Sequence, residues 1–277
     1  MTLKLMYITN NVEVARIAQK YGVERIWVDL ETLGKDERQG HIDSVKSHHS
    51  ISDIKRIVPI LDKSEMLVRV NPINENSEKE INQVIDAGAD IIMLPMWKSK
   101  NDVATFLKYV NGKTKTVLLL ETKEAVECLD EVLCMGGFNE IHIGLNDLHL
   151  SYGLVFMFQL LTDGTIENLC KKIKRYNIPY GFGGIAKLGI GDLPAENVIQ
   201  EHYRLGSTRA ILSRSFCNVD NFNSIEDIDN VFFENIAKLR KYEESLKNNA
   251  INDYLANELL VKKMVEKIVS SKIGEAK

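Results

Sequence analysis

Short apolar runs rich in β-branched residues recur along the chain and alternate with longer stretches in which apolar and polar positions repeat at helical spacing. The runs are Leu3–Thr9, Arg25–Leu30, Met66–Val70, Asp90–Leu94, Thr116–Leu120, Glu140–Ile143, Pro179–Phe182 and Arg209–Leu212. Several of them, such as VLLL and IIML, are apolar at every position instead of every second one. An unbroken apolar run suits a strand covered on both faces, as in a parallel sheet. Between the runs, Asn11 to Tyr21 places Val12, Ala15, Ile17 and Ala18 broadly on one helical face. Ser77-Glu78-Lys79-Glu80 reads as a capping box that opens a helix through Ile81, Val84 and Ile85, which closes at Ala87-Gly88-Ala89. Pro194 opens another helix that ends near Gly206.

Eight strand-then-helix units predict a (β/α)₈ TIM barrel with a C-terminal helical extension. A doubly wound open sheet is the alternative architecture, but the turn after the first strand is Thr9-Asn10-Asn11, with no glycine-rich phosphate loop. The barrel domain is assigned to residues 1–218. Residues 219–277 form the extension, in which Leu239, Tyr242 and Leu246, and then Leu255, Leu259, Leu260 and Met264, have helical spacing. That tail is longer than one barrel helix requires, so it packs on its own barrel or on a neighbouring subunit.

Composition narrows the function. With 35 basic and 39 acidic residues, the chain is slightly acidic and mixed in sign, which gives no support for nucleic-acid binding. It has no basic tract for a membrane surface and no apolar run long enough to span one. The N-terminal MTLKLMYITNN reads as a first strand, not a signal peptide. Cys128, Cys134, Cys170 and Cys217 are scattered without C-x-x-C spacing, which argues against a zinc cluster or a disulfide framework and for reduced thiols in the cytoplasm.

Side chains just past the carboxyl ends of barrel strands share one functional end. Asp29 and Glu31 follow the second strand, Arg69 lies in the third within VRVNP, Glu121 follows the fifth and Asp147 the sixth. Such a set suits a hard divalent cation, Mg2+ or Mn2+, which takes one or two carboxylates and keeps positions for water and substrate. Glu121 and Asp147 are the candidate metal ligands, and Arg69 is the candidate partner for a substrate carboxylate or a developing enolate. Each residue also has a structural reading. Asp147 could cap a helix, Glu121 could favour a helix's first turn, and Arg69 could pair with a barrel carboxylate.

The stretches LMYITNNVEVARIAQKYGVERIWVDLE, MLVRVNP, VIDAGADIIMLPM, VLLLETKEAVECLDEVL, IHIGLNDLHLSYG and YRLGSTRAILSRSF, in this order, resemble the HpcH/HpaI aldolase and citrate lyase β-subunit superfamily. The resemblance implies a metal-dependent carbon–carbon lyase in which Glu121 and Asp147 bind the metal. It also implies that Arg69 binds substrate, with Glu31, Gly144 and Asn146 as further contacts. It implies homo-oligomers, trimers or hexamers, with small-molecule 2-oxo acid and aldehyde partners and often an exchanged terminal helix. Two positions depart from the aldolase branch. Its D-x-E-H motif is here Asp29-Leu30-Glu31-Thr32, and its glutamine two residues before the metal glutamate is here Leu119. Threonine is no base near neutral pH, so His48 and His49 are the candidates for proton transfer, with His41 and His149 behind them. Gly183-Gly184, after the seventh strand, could admit a ligand to the backbone or form a tight turn.

The leading expectation is an aldolase that cleaves or forms a 4-hydroxy-2-oxo acid, giving pyruvate or a close analogue and an aldehyde. The acidic second-strand motif also suits a citrate-lyase-like enzyme acting on a 3-hydroxy acyl substrate. Loss of the family histidine keeps open a third reading, a barrel that binds metal and 2-oxo acid without turnover.

Overall fold

The computed structural model describes residues 2–34 and 49–275. Eight parallel strands follow one another around a closed barrel in sequence order. The elements run β1 (Lys4–Ile8), α1 (Val12–Lys20), β2 (Arg25–Asp29), α2 (Ile51–Ile57), β3 (Glu65–Arg69), α3 (Ser77–Asp86), β4 (Ile91–Leu94), α4 (Lys100–Val110) and β5 (Lys115–Leu120). They continue with α5 (Lys123–Glu127), α6 (Leu129–Met135), β6 (Glu140–Ile143), α7 (Leu145–Ser151), α8 (Gln159–Thr162), α9 (Thr165–Lys174), β7 (Tyr180–Ile185), α10 (Ala195–Leu205), β8 (Arg209–Leu212), α11 (Ile225–Leu246) and α12 (Ile251–Glu275). Each apolar run read from the sequence is a strand, and the (β/α)₈ expectation holds. Among the described residues, no helix is long and apolar enough to cross a membrane.

The chain forms two compact units, Leu5–His142 and Met1–Lys4 with Ile143–Lys277. In the first unit the interior is layered along β2. Arg25, Trp27 and Asp29 share one face, because side chains alternate along a strand. Arg25 bonds both carboxylate oxygens of Glu140, on β6, at 2.7 Å. Since β2 and β6 are not neighbours in the barrel, this pair crosses its interior. Glu65 of β3 accepts from Arg25 Nε at 3.1 Å and from Lys115 Nζ at 2.6 Å. The charged layer therefore sits at the amino ends of the strands. Asp29 lies four residues further along, roughly 13 Å away at strand rise.

The local signals of this unit have clear causes. Asn11 caps α1 by accepting from Glu13 N and Val14 N. Ser99 and Asp102 form a capping box at α4. The box read at Ser77–Glu80 does not form. Ser77 Oγ instead accepts from Asn74 N at 2.9 Å, and Glu80 turns to Asn71. Gly88, with φ of +98°, closes the turn after α3 in a conformation that favours glycine.

In the second unit, α11 buries Ile228, Phe232, Ile236, Leu239 and Leu246. Its Glu243 accepts from Leu3 N at 2.8 Å, while Arg240 donates to Leu3 O at 2.8 Å. The last helix, α12, is tied to α10 by Asn257, whose amide bonds Asn197 and Glu201. The extension is thus part of the same compact unit as β7 and β8. The pair Gly183-Gly184 lies inside β7, which is longer than its apolar run suggests. A side chain at Gly183 would meet Leu145 Cδ1 at 2.6 Å, so this glycine serves close packing of strand on helix.

Candidate active site

Arg69 is the hub of the first unit's carboxyl-end cluster. As the last residue of β3, it stands in register with Asp29, the last residue of β2. Its Nε and Nη2 donate to the two oxygens of Asp29, each at 2.8 Å, in a bidentate pair. Its Nη1 lies 3.1 Å from Glu31 Oε2. The guanidinium also sits 5.3 Å from the Trp27 ring, within cation–π range. Burial works to lower the Arg69 pKa, but the charges of Asp29, Glu31 and Glu121 outweigh it and raise it, so Arg69 stays a cation at any working pH. Three N–H groups are engaged, and the planar fork has others to offer a ligand.

Glu121 follows β5 and is 2% exposed. Its Oε1 accepts from the backbone N–H of Met96 at 3.1 Å. Met96 holds a left-handed φ of +50°, unusual for a residue with a side chain. Thr122, not Glu121, caps the following helix, accepting from Ala125 N and donating to Trp97 O. Glu121 is therefore no helix-terminal charge.

Three carboxyl groups against one guanidinium leave an excess of oxygen donors in this unit. Among the described residues, no group of three or more His, Cys, Asp or Glu side chains is arranged to hold a metal ion by itself. Glu121, among these carboxyl groups, is a hard oxygen donor of the kind that a divalent cation taking few protein carboxylates uses, with water and substrate completing its shell.

His49 presents Nδ1 to the backbone N–H of Asp29 at 3.0 Å. That nitrogen is an acceptor, so the neutral ring carries its proton on Nε2. In this arrangement His49 offers a donor, and its lone pair supports the end of β2. His48 and His41 lie outside the described residues. The Thr32 hydroxyl is directed to Asn71 Oδ1 at 3.3 Å.

In the second unit, Gly144 is the N-cap of α7, and Asn146 and Asp147 occupy its first turn. Gly144 makes no side-chain cap, and Asn146 is exposed. His149 is buried with Nδ1 3.2 Å from Leu145 O, a bond within its own helix. Of the candidates read from the sequence, the fold brings Arg69, Glu31 and Glu121 together. Sequence reading gave no role to Asp29, Trp27 or Asn71. The alternation along RIWVD and the spacing R-x-N were the available signals.

The family model for HpcH/HpaI aldolase/citrate lyase matches residues 5–156. No curated protein matches the chain. Among solved structures, the HpcH/HpaI aldolase from Desulfitobacterium hafniense DCB-2 is 16% identical, with a TM-score of 0.58 over 76% of this chain and 86% of that one. An HpcH/HpaI aldolase/citrate lyase family protein from Burkholderia cenocepacia J2315 is 13% identical, with a TM-score of 0.60 over 82% of this chain and 95% of that one. At these identities the two structures speak for the fold.

Proposed function

The chain belongs to the HpcH/HpaI aldolase/citrate lyase family, and on that premise we propose that it is a divalent-metal-dependent carbon–carbon lyase of the class II aldolase type. It cleaves a 4-hydroxy-2-oxo acid, or forms one in reverse, with pyruvate or a close analogue and an aldehyde as its small-molecule partners. The observation that carries this reading is the bidentate Arg69–Asp29 pair, with Glu31 and Glu121 around the same guanidinium. Such a cluster holds a cation in place and keeps spare donors for an anionic ligand.

In cleavage, the 4-hydroxyl loses its proton and its electrons form the aldehyde carbonyl. The C3–C4 bond breaks, and its electron pair becomes the enolate of the 2-oxo acid, which is then protonated at C3. Arg69 binds the substrate carboxylate or enolate oxygen through its remaining N–H groups. Glu31 and Asp29 fix the plane of that fork. Gly144 and Asn146 are assigned further substrate contacts. The residues assigned to hold the metal are Glu121 and Asp147, and Mg2+ or Mn2+ bound by them would act as a Lewis acid toward the enolate. Proton transfer is assigned to the histidine pair. His49 contributes through its Nε2 proton and His48 is the candidate base.

The test is a screen of aldehydes with pyruvate, with and without divalent metal. Metal-dependent formation of a 4-hydroxy-2-oxo acid supports the reading. A requirement for an acyl thioester would favour the citrate-lyase-like alternative, which the acidic second-strand motif Asp29-Leu30-Glu31 suits. Binding without turnover would leave a non-catalytic barrel. We also assign the chain to a homo-oligomer, because Ile251, Leu255 and Leu259 repeat along one face of α12 and are exposed.

A further inference from the structure

We propose that Asn71 is a positioning residue that latches residues 30–33 to the end of β3, with Glu80 fixing the orientation of its amide, so that Glu31 is kept on Arg69. The effect on turnover rests on the lyase reading, whereas the latch does not.

Asn71 follows the strand of Arg69 by two residues. Its Oδ1 accepts from Thr32 N at 2.9 Å, Leu33 N at 3.0 Å and Thr32 Oγ1 at 3.3 Å. Its Nδ2 donates to Leu30 O at 3.2 Å and to Glu80 Oε1 at 2.8 Å. Its backbone N–H faces both oxygens of Glu80 at 3.3 Å. One amide thus holds the segment on both sides of Glu31, at Leu30 O and at the N–H groups of Thr32 and Leu33. Glu31 N in turn donates to Asp29 Oδ1 at 3.2 Å, and its carboxylate reaches Arg69 at 3.1 Å.

The chemistry admits few substitutes. The segment requires an acceptor for two N–H groups and a donor for one carbonyl, at the reach of a short side chain. A flipped amide would set its NH2 against two N–H donors. Glu80 prevents that flip, because its carboxylate accepts only from the NH2 side. Aspartate at position 71 keeps the acceptor, loses the donors and sets a second carboxylate against Glu80. Glutamine at position 80 keeps an acceptor for Asn71, while alanine removes it.

The test compares Glu80→Ala, Glu80→Gln, Asn71→Asp and the Asn71→Asp/Glu80→Gln pair. Glu80 lies on the partly exposed side of α3, so its variants are expected to fold even where Asn71→Asp does not. One readout is amide hydrogen exchange over residues 30–34. The other is kcat and KM for the lyase reaction, with Mn2+-dependent pyruvate binding by calorimetry alongside. Glu80→Ala should speed exchange of the segment about tenfold, as expected for loss of one hydrogen bond to a charged group, and lower kcat by a similar factor. Glu80→Gln should stay near wild type. In the double variant the introduced glutamine amide can donate to the introduced aspartate, so exchange and kcat should recover relative to Asn71→Asp.

Unchanged exchange in Glu80→Ala overturns the latch. Faster exchange with unchanged kcat, KM and pyruvate binding overturns the positioning role. If wild type shows no turnover with any divalent metal, the lyase reading fails, and the exchange and pyruvate-binding measurements still decide the proposal. Absence of pyruvate binding in wild type as well overturns the positioning role together with that reading.

Discussion

Arg69 and Asp29 end adjacent strands in register, and the guanidinium of one meets both carboxylate oxygens of the other at 2.8 Å. The pair is nearly dry, with Asp29 2% exposed. A buried charge pair adds little by itself, but removing one partner strands the other. Arg69→Met leaves Asp29 and Glu31 facing each other without their cation. The expected loss is about 3–5 kcal/mol of stability, read from the urea midpoint. Lysine should restore part of the charge balance but not the fork. A midpoint unchanged in Arg69→Met would mean that the carboxylates find another partner.

The charged layer at the other end of the strands sets an acid limit. Burial alone would raise the Glu65 pKa, but hydrogen bonds from Lys115 and Arg25 outweigh it and hold it below the ordinary carboxylate value. A carboxylate whose folded pKa is depressed stabilises the fold fully above its unfolded pKa, about 4.3 for glutamate. That contribution is lost as pH falls through the lower, folded value. Stability should therefore drop below about pH 4.3. Glu65→Gln should be less stable than wild type at pH 7 and show a shallower acid decline in urea titrations between those limits. Parallel declines for both proteins would remove Glu65 from the explanation.

Much of this could be read from the chain, and the failures have particular causes. Short apolar runs marked all eight strands, and several are unbroken because a strand covered on both faces leaves no polar alternation. Arg25 and Glu140 each open one of those runs, and only the closed topology sets them across the interior from each other. The motif at Ser77–Glu80 has the residue types of a capping box, but Glu80 is drawn to Asn71, a tertiary partner that no local pattern shows. Asn71 stands two residues after Arg69 in VRVNP, but nothing in that spacing shows which loop it holds. His49 was legible as a histidine near the site. Its bond to the Asp29 backbone depends on where α2 begins, which lies beyond sequence spacing.

Metal binding is expected to follow Glu121 and Asp147 separately. Glu121→Gln keeps a carbonyl oxygen for the Met96 N–H, so the fold should survive while the charged ligand is lost. Mn2+ affinity should fall at least about tenfold in Glu121→Gln and in Asp147→Asn, measured by calorimetry, since each loses a charged ligand. A variant that binds Mn2+ as tightly as wild type does not carry a ligand position.

The two histidines should separate. His49→Asn offers a side-chain oxygen to the Asp29 N–H in place of Nδ1. Because His49 contributes through its Nε2 proton, both His49→Ala and His49→Asn should lower kcat, whereas recovery of most of the rate in His49→Asn would reduce its role to support of β2. His48→Ala should lower kcat by about 100-fold or more with Mn2+ affinity kept, as expected for loss of a general base. Wild-type rates in His48→Ala would move the base to His41 or Glu31.

The most direct measurement is deuterium exchange at the methyl group of pyruvate in D2O, followed by proton NMR with and without Mn2+. It needs no knowledge of the aldehyde and reports enolate formation itself. Metal-dependent exchange in wild type, lost in Glu121→Gln and Arg69→Met, is the expected result. Absence of exchange in wild type with Mg2+, Mn2+ or any other divalent cation would contradict the lyase assignment.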